Sequence, residues 1–285
     1  MRRSSRLLFS TLAACLPALG LLMAYSPVAS AGTAAPRPAV THAAAAARAA
    51  LRHLAIGQHS ADQRVSGHTQ HVKGLTKVDS NNWSGYADTG SNYSTVTGSW
   101  TEPSVTCTST TSLAAFWVGI DGFSSGTVEQ DGTLAECYGG AAYYFTWWEM
   151  YPSNDIQVVG DTLRSGDHIS ASVVRSGTSY TLKVTDSTRS GDSFSTKQGC
   201  SSCANSSAEW IAEAPSGSSG IYPLPDFHSW SETGATVKSG SKTGVISTFS
   251  DDEITMVDSS GNVEAQPGAL NGSGNGFAVT WKRST

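Results

Sequence analysis

The sequence predicts an all-β domain, a sandwich of two antiparallel sheets, preceded by an export signal and a pro-segment. Three observations carry this. After residue 80 no segment sustains a 3.6-residue apolar period. Short alternating runs rich in Val, Ile, Thr, Tyr and Trp appear instead, at Tyr93–Trp100, Ile156–Leu163, His168–Val174, Tyr180–Val184 and Phe277–Trp281. Ser165-Gly166-Asp167, Ser176-Gly177-Thr178 and Ser190-Gly191-Asp192 mark turns at hairpin-like intervals. Residues 81–285 read as one such domain.

The chain begins differently. Arg2, Arg3 and Arg6 precede an apolar run from Leu7 to Met23 and then Ala29-Ser30-Ala31, the pattern of a cleaved secretory signal over residues 1–31. The protein is therefore expected outside the cell, and no later stretch is long and apolar enough to anchor it in a membrane. Residues 32–80 form a second zone, with an alanine-rich run, Ala43–Leu54, that suits a helix. Six Lys/Arg face two Asp there, a net of +4, and His42, His53, His59, His68 and His71 fall in the same zone. The whole chain is at −5 and the signal at +3, so residues 81–285 carry −5 − 3 − 4 = −12. A basic segment ahead of an acidic domain predicts a pro-segment held by charge, with a disordered linker as the alternative. The acidic domain excludes nucleic acid as a partner, because such binding rests on cationic contacts to phosphate. A surface rich in carboxylates also suits an acidic medium, where they are neutral and self-repulsion is mild.

Cys15 leaves with the signal, so Cys107, Cys137, Cys200 and Cys203 remain. In an exported chain these are two disulfides, and proximity favours Cys107–Cys137 and Cys200–Cys203. The CxxC spacing of the latter also fits a redox or zinc pair, but neither a βαβ context nor a second CxxC accompanies it. No metal or cofactor is called for.

Four stretches gather the chemistry. Asn82-Trp83-Ser84-Gly85-Tyr86 opens the domain. As a strand, residues 116–121 place Phe116, Val118 and Ile120 on one face and Trp117, Gly119 and Asp121 on the other: an aromatic wall, an open backbone and a carboxylate. Tyr143–Pro152 places Trp147, Glu149 and Tyr151 together, opposite Trp148 and Met150. Glu209, Ile211 and Glu213 share a side of residues 208–213, and an acid inside an otherwise buried strand must be paired or face a groove. A plain solvent-facing Glu on an edge strand is the bland alternative.

Taken in order, Asn82–Tyr86, Trp117–Gly122 with Gln130, Trp147–Pro152, Glu209–Ile211 with Glu213, and Asp226-Phe227 resemble the eqolisins, or glutamic peptidases. The resemblance spans essentially residues 81–285. It implies a secreted, acid-acting endopeptidase with a cleaved pro-segment and a concanavalin A-like jelly roll. It places the catalytic pair on Gln130 and Glu209, and groove positions on Trp117, Asp121, Trp147 and Glu149, with Trp83 beside them. Ionised, Glu209 would take a proton from the attacking water and return it to the leaving nitrogen. Gln130 would donate to the oxyanion and orient the water through its carbonyl oxygen. Polypeptides and its own pro-segment are then the partners of a monomeric enzyme.

Other chemistries fit less well. Asp88-Thr89-Gly90-Ser91 resembles one pepsin-type loop, but a second with the right spacing is missing. The domain has only His168 and His228 and no Gly-x-Ser-x-Gly elbow for a serine triad. A glycoside hydrolase or lectin using Glu149 and Glu209 with the aromatics is the serious rival.

Overall fold

The computed structural model describes residues 64–72, 75–217 and 219–284, the first of these as backbone only. The expected signal, the Ala43–Leu54 helix and the His42, His53 and His59 positions lie outside the described residues. No α-helix occurs among those that are described.

In chain order the strands are β1 (Arg64–Val72), β2 (Leu75–Ser80), β3 (Trp83–Thr89), β4 (Tyr93–Thr101), β5 (Ser112–Ile120), β6 (Val128–Tyr138) and β7 (Ala141–Tyr151). Then come β8 (Asn154–Gly160), β9 (His168–Ser176), β10 (Ser179–Asp186), β11 (Phe194–Gly199), β12 (Ser207–Glu213) and the short pair β13 (Ser216–Gly217) and β14 (Gly220–Ile221). The last are β15 (Ser229–Ser239), β16 (Lys242–Gly244), β17 (Ser250–Val257), β18 (Val263–Pro267) and β19 (Phe277–Trp281).

They form two large sheets. The first runs β8-β7-β6-β5-β12-β3-β17-β2-β1, antiparallel throughout except where β2 lies parallel to β17. The second runs β11-β10-β9-β4-β15-β16. Strand β15 joins them, because Ser229–Glu232 pairs with β19 and, after a bulge, Thr233–Ser239 pairs with β4.

Alternation decides which side chains meet between the sheets. Tyr86, Phe116, Val118, Ile120 and Trp210 project from the first sheet onto Val96, Ile169, Val173, Leu182 and Val184 of the second. The opposite, outer face of the first sheet carries its own apolar cluster, including Val78, Trp83, Trp117, Phe145, Trp147 and Ile211. The expected split of Phe116, Val118 and Ile120 from Trp117 is thus observed. So is that of Trp147 from Met150.

Two local readings shift. The run expected at 156–163 is a strand over Asn154–Gly160, starting directly after the turn at residues 152–153. Ser190–Asp192 is, as expected, a turn, a 3-10 turn within the loop of the β10–β11 hairpin. The end of the expected pro-segment is also woven into the sheet. Val78 is 4% exposed within the outer cluster, and Lys77 Nζ lies 2.6 Å from Glu253 Oε1 of β17. The β1–β2 hairpin sits at the sheet's end, beyond β17.

Both expected disulfides form, Cys107–Cys137 and Cys200–Cys203.

Candidate active site

Strand β12 lies inside the first sheet, between β3 and β5, so the edge-strand reading of its glutamates is corrected. Register then aligns the outer-face residues in rows across the strands. In one row Glu209 stands opposite Gly119, Gly119 opposite Gln130, and Gln130 opposite Glu149. On its other side Glu209 faces Ala87, and Ala87 faces Asp252. Glu209 is therefore flanked by the two smallest side chains available.

Strands are spaced about 4.8 Å apart, so the backbones at Glu209 and Gln130 are separated by roughly 10 Å. Gly119 puts no side chain of its own into that span, and the edge of the Trp117 ring lies over it. A Cβ there would stand 2.8 Å from Trp117 Cζ3 and 3.2 Å from Gln130 Cβ. Glycine is what lets the indole edge lie there.

Trp117 is wholly buried beside this gap, edge-on to Trp83 with ring centroids 4.9 Å apart and planes at 76°. Trp147 falls in the same row as Trp117, with Gly132 between them. Gln130 Nε2 donates to Glu149 Oε2 at 2.6 Å. That bond fixes which end of the amide faces Glu149. Gln130 Oε1 and both Glu209 carboxylate oxygens are buried without a hydrogen-bond partner of normal geometry among the described residues. Burial pushes the Glu209 carboxyl well above the usual range; the nearby Ser207 hydroxyl lowers it by less, while Asp121, Glu129 and Asp88 add to the rise.

Asp121, expected at a groove position, has both carboxylate oxygens hydrogen-bonded. At φ 71° it ends the alternation of β5. Its Oδ1 accepts from Ser206 N (2.7 Å) and Ser206 Oγ (3.0 Å), and its Oδ2 from Asn205 N (2.6 Å) and Thr127 Oγ1 (3.2 Å). The carboxylate thus ties the end of β5 to the loop that enters β12 and to the start of β6. These are the strands that carry Glu209 and Gln130.

The structure brings Gln130, Glu209, Trp117, Trp147, Glu149 and Trp83 onto one face. Sequence reading singles out Glu213 without giving it a role, and it passes over Ala87. Glu213 Oε2 accepts from Trp117 Nε1 at 2.7 Å. The alternation of 83–89 is the available signal for Ala87, but its pairing with Glu209 depends on a strand far along the chain. Asp88, in the pepsin-like tetrad, is wholly buried, and burial with the neighbouring Asp251 and Asp252 pushes it up to about 9.

The Peptidase A4 family matches residues 81–275. Aspergillopepsin-2 of Aspergillus niger is 29% identical over 243 residues, covering 75% of this chain and 84% of that protein. Scytalidopepsin B of Scytalidium lignicola is 33% identical over 136 residues, 46% of this chain and 51% of its own. Among solved structures, aspergilloglutamic peptidase from Aspergillus niger aligns at 28% identity with a TM-score of 0.52, over 60% of this chain and 99% of that one. Scytalido-glutamic peptidase with a peptide-based transition-state analogue shares the fold at 24% identity and TM-score 0.60, over 71% of this chain and 98% of that one.

Fold and relatives together define a hydrolase of the glutamic peptidase class. More particularly, the chain belongs to the peptidase A4 family, the eqolisins. The glycoside hydrolase alternative is thereby set aside. Its two carboxylates also stand three strands apart, roughly 14 Å between backbones, with Gln130 bonded to one of them.

Proposed function

We propose that the enzyme is a secreted, acid-acting endopeptidase whose reaction is carried by Glu209 and Gln130. The observation that supports this most is the in-register row Glu209–Gly119–Gln130, in which residue 119 puts no side chain between the two and the Trp117 ring edge lies over it. When the groove is opened to water, Glu209 is solvated and its pKa falls, so that it can accept a proton from the attacking water. The water's oxygen bonds to the peptide carbon, the carbonyl electrons pass to oxygen, and the proton moves through Glu209 to the departing nitrogen as the C–N bond breaks. Gln130 does not titrate. Glu149 holds its amide in one orientation, so that Oε1 can align the water while the second Nε2–H faces the developing oxyanion. Trp117 and Trp147 flank the substrate.

The basic zone up to residue 80 is, in this reading, a removable pro-segment drawn to the acidic domain by charge. Two observations support a junction near residue 80: the family match starts at residue 81, and the β1–β2 hairpin lies at the end of its sheet. Its loss would strip an end of the sheet without cutting through the middle. The jelly-roll description of the two sheets belongs to the same reading.

Cleavage of a denatured protein between pH 2 and 7, with and without pepstatin, tests the proposal. Pepstatin-resistant cleavage confined to acid is expected. Inhibition by pepstatin, or cleavage that persists at neutral pH, would refute it.

A further inference from the structure

The pair Glu209–Gln130 leaves the second acid of β12 without a task. Glu213 stands four residues beyond Glu209 on the same outer face and is 4% exposed. Its Oε2 accepts the 2.7 Å hydrogen bond from the indole N–H of Trp117.

That indole borders the gap itself. The Cζ3 edge of its six-membered ring approaches the point where a Gly119 side chain would begin, as does Gln130 Cβ from the other direction. Trp83 meets the ring edge-on, a contact that limits its tilt but does not define its rotation. The bond to Glu213 is the directional restraint, and it acts at the five-membered ring, at the opposite end of the indole from Cζ3.

We propose that Glu213 is a positioning residue for peptide hydrolysis: by fixing Trp117 it sets the wall of the gap between Glu209 and Gln130. The inference rests on the reading of those two residues as the reacting pair. It also gives a substrate class. The wall is an aromatic ring held still, so the substrate side chain next to the scissile bond is aromatic or long and apolar, and the wall contributes through packing. Without the restraint the indole is free to leave its seat against Gly119, and the wall shifts. The carbonyl would then lose its place.

The test is a double-mutant cycle on kcat/KM, using a peptide with Phe beside the scissile bond. Glu213→Leu should lower kcat/KM about tenfold, and Glu213→Gln, which keeps an acceptor oxygen, should restore most of it. Trp117→Phe removes the N–H, so adding Glu213→Leu to it should cost less than about twofold more. Should the leucine variant fail to fold by thermal unfolding, Glu213→Met completes the same cycle. Equal losses on removing the acceptor with and without the Trp117→Phe change, or no loss at all, would overturn the proposal. Full activity in Glu209→Gln would instead overturn the assignment of the reacting pair. The two failures are therefore distinct.

Discussion

The two faces of the first sheet are both buried and both hold carboxyl groups, yet they differ in what surrounds those groups. Between the sheets, Asp131, Glu102 and Glu129 are buried too, with Glu102 accepting from Trp100 Nε1 at 3.2 Å and Glu129 beside Asp121, and burial drives all three upward: Glu102 to about 8, Glu129 to about 10, and Asp131 far above the usual range. On the outer face Glu209 is raised as well, but glycine and alanine flank it and an amide stands across the gap. Burial alone therefore does not make a site. What sets Glu209 apart is its small neighbours and the facing amide.

The largest expected effects belong to the outer face. Glu209→Gln should lower kcat by about a thousandfold or more at unchanged thermal midpoint, as removal of a proton-transfer group commonly does. Gly119→Ala should cost roughly a hundredfold, because the added methyl meets Trp117 and Gln130 and a small displacement of reacting groups is expensive. If Gly119→Ala were as active as the parent, the open row would not be the site.

The inner face should reveal itself in stability. Glu102, Glu129 and Asp88 have folded-state pKa values above the unfolded ones, so from about pH 4 upward the unfolded chain releases protons that the folded chain keeps. Stability from these groups is complete below about pH 4 and is lost as pH rises toward their folded values, by about 1.4 kcal/mol per pH unit for each fully coupled group. Thermal midpoints should fall between pH 4 and 8. Asp131→Asn should lessen that fall while leaving acid activity intact; a midpoint indifferent to pH would contradict the account.

The smallest contrast concerns the disulfides. Cys107–Cys137 closes a separation of 30 residues and Cys200–Cys203 one of 3. On chain entropy alone, replacing the first pair by serine should cost about 4 kcal/mol and the second about 2 kcal/mol, read from denaturant midpoints.

Much of this is legible in the chain. Alternation in 116–120, 147–151 and 208–213 assigns the correct faces, because those strands have strictly periodic apolar positions. The β1–β2 hairpin is not legible as strand, since only Leu75 and Val78 mark β2 as apolar among Thr, Lys, Asp and Ser. Asp121 stands one step past the end of β5, where the backbone turns, so its bonds to Ser206, Asn205 and Thr127 do not follow from the alternation. The row Glu209–Gly119–Gln130 depends on pairing between strands some 90 residues apart, and no local pattern fixes that register. The resemblance names its two ends; the gap between them comes from the fold.

The most direct test of the central claim is kcat/KM for Glu209→Gln, Gln130→Ala and the two combined, on one peptide at acid pH. Two groups acting on one water and one carbonyl should be strongly non-additive, so the double variant should be about as slow as the worse single one. Losses that multiply, or a single variant that retains parental activity, would contradict the account.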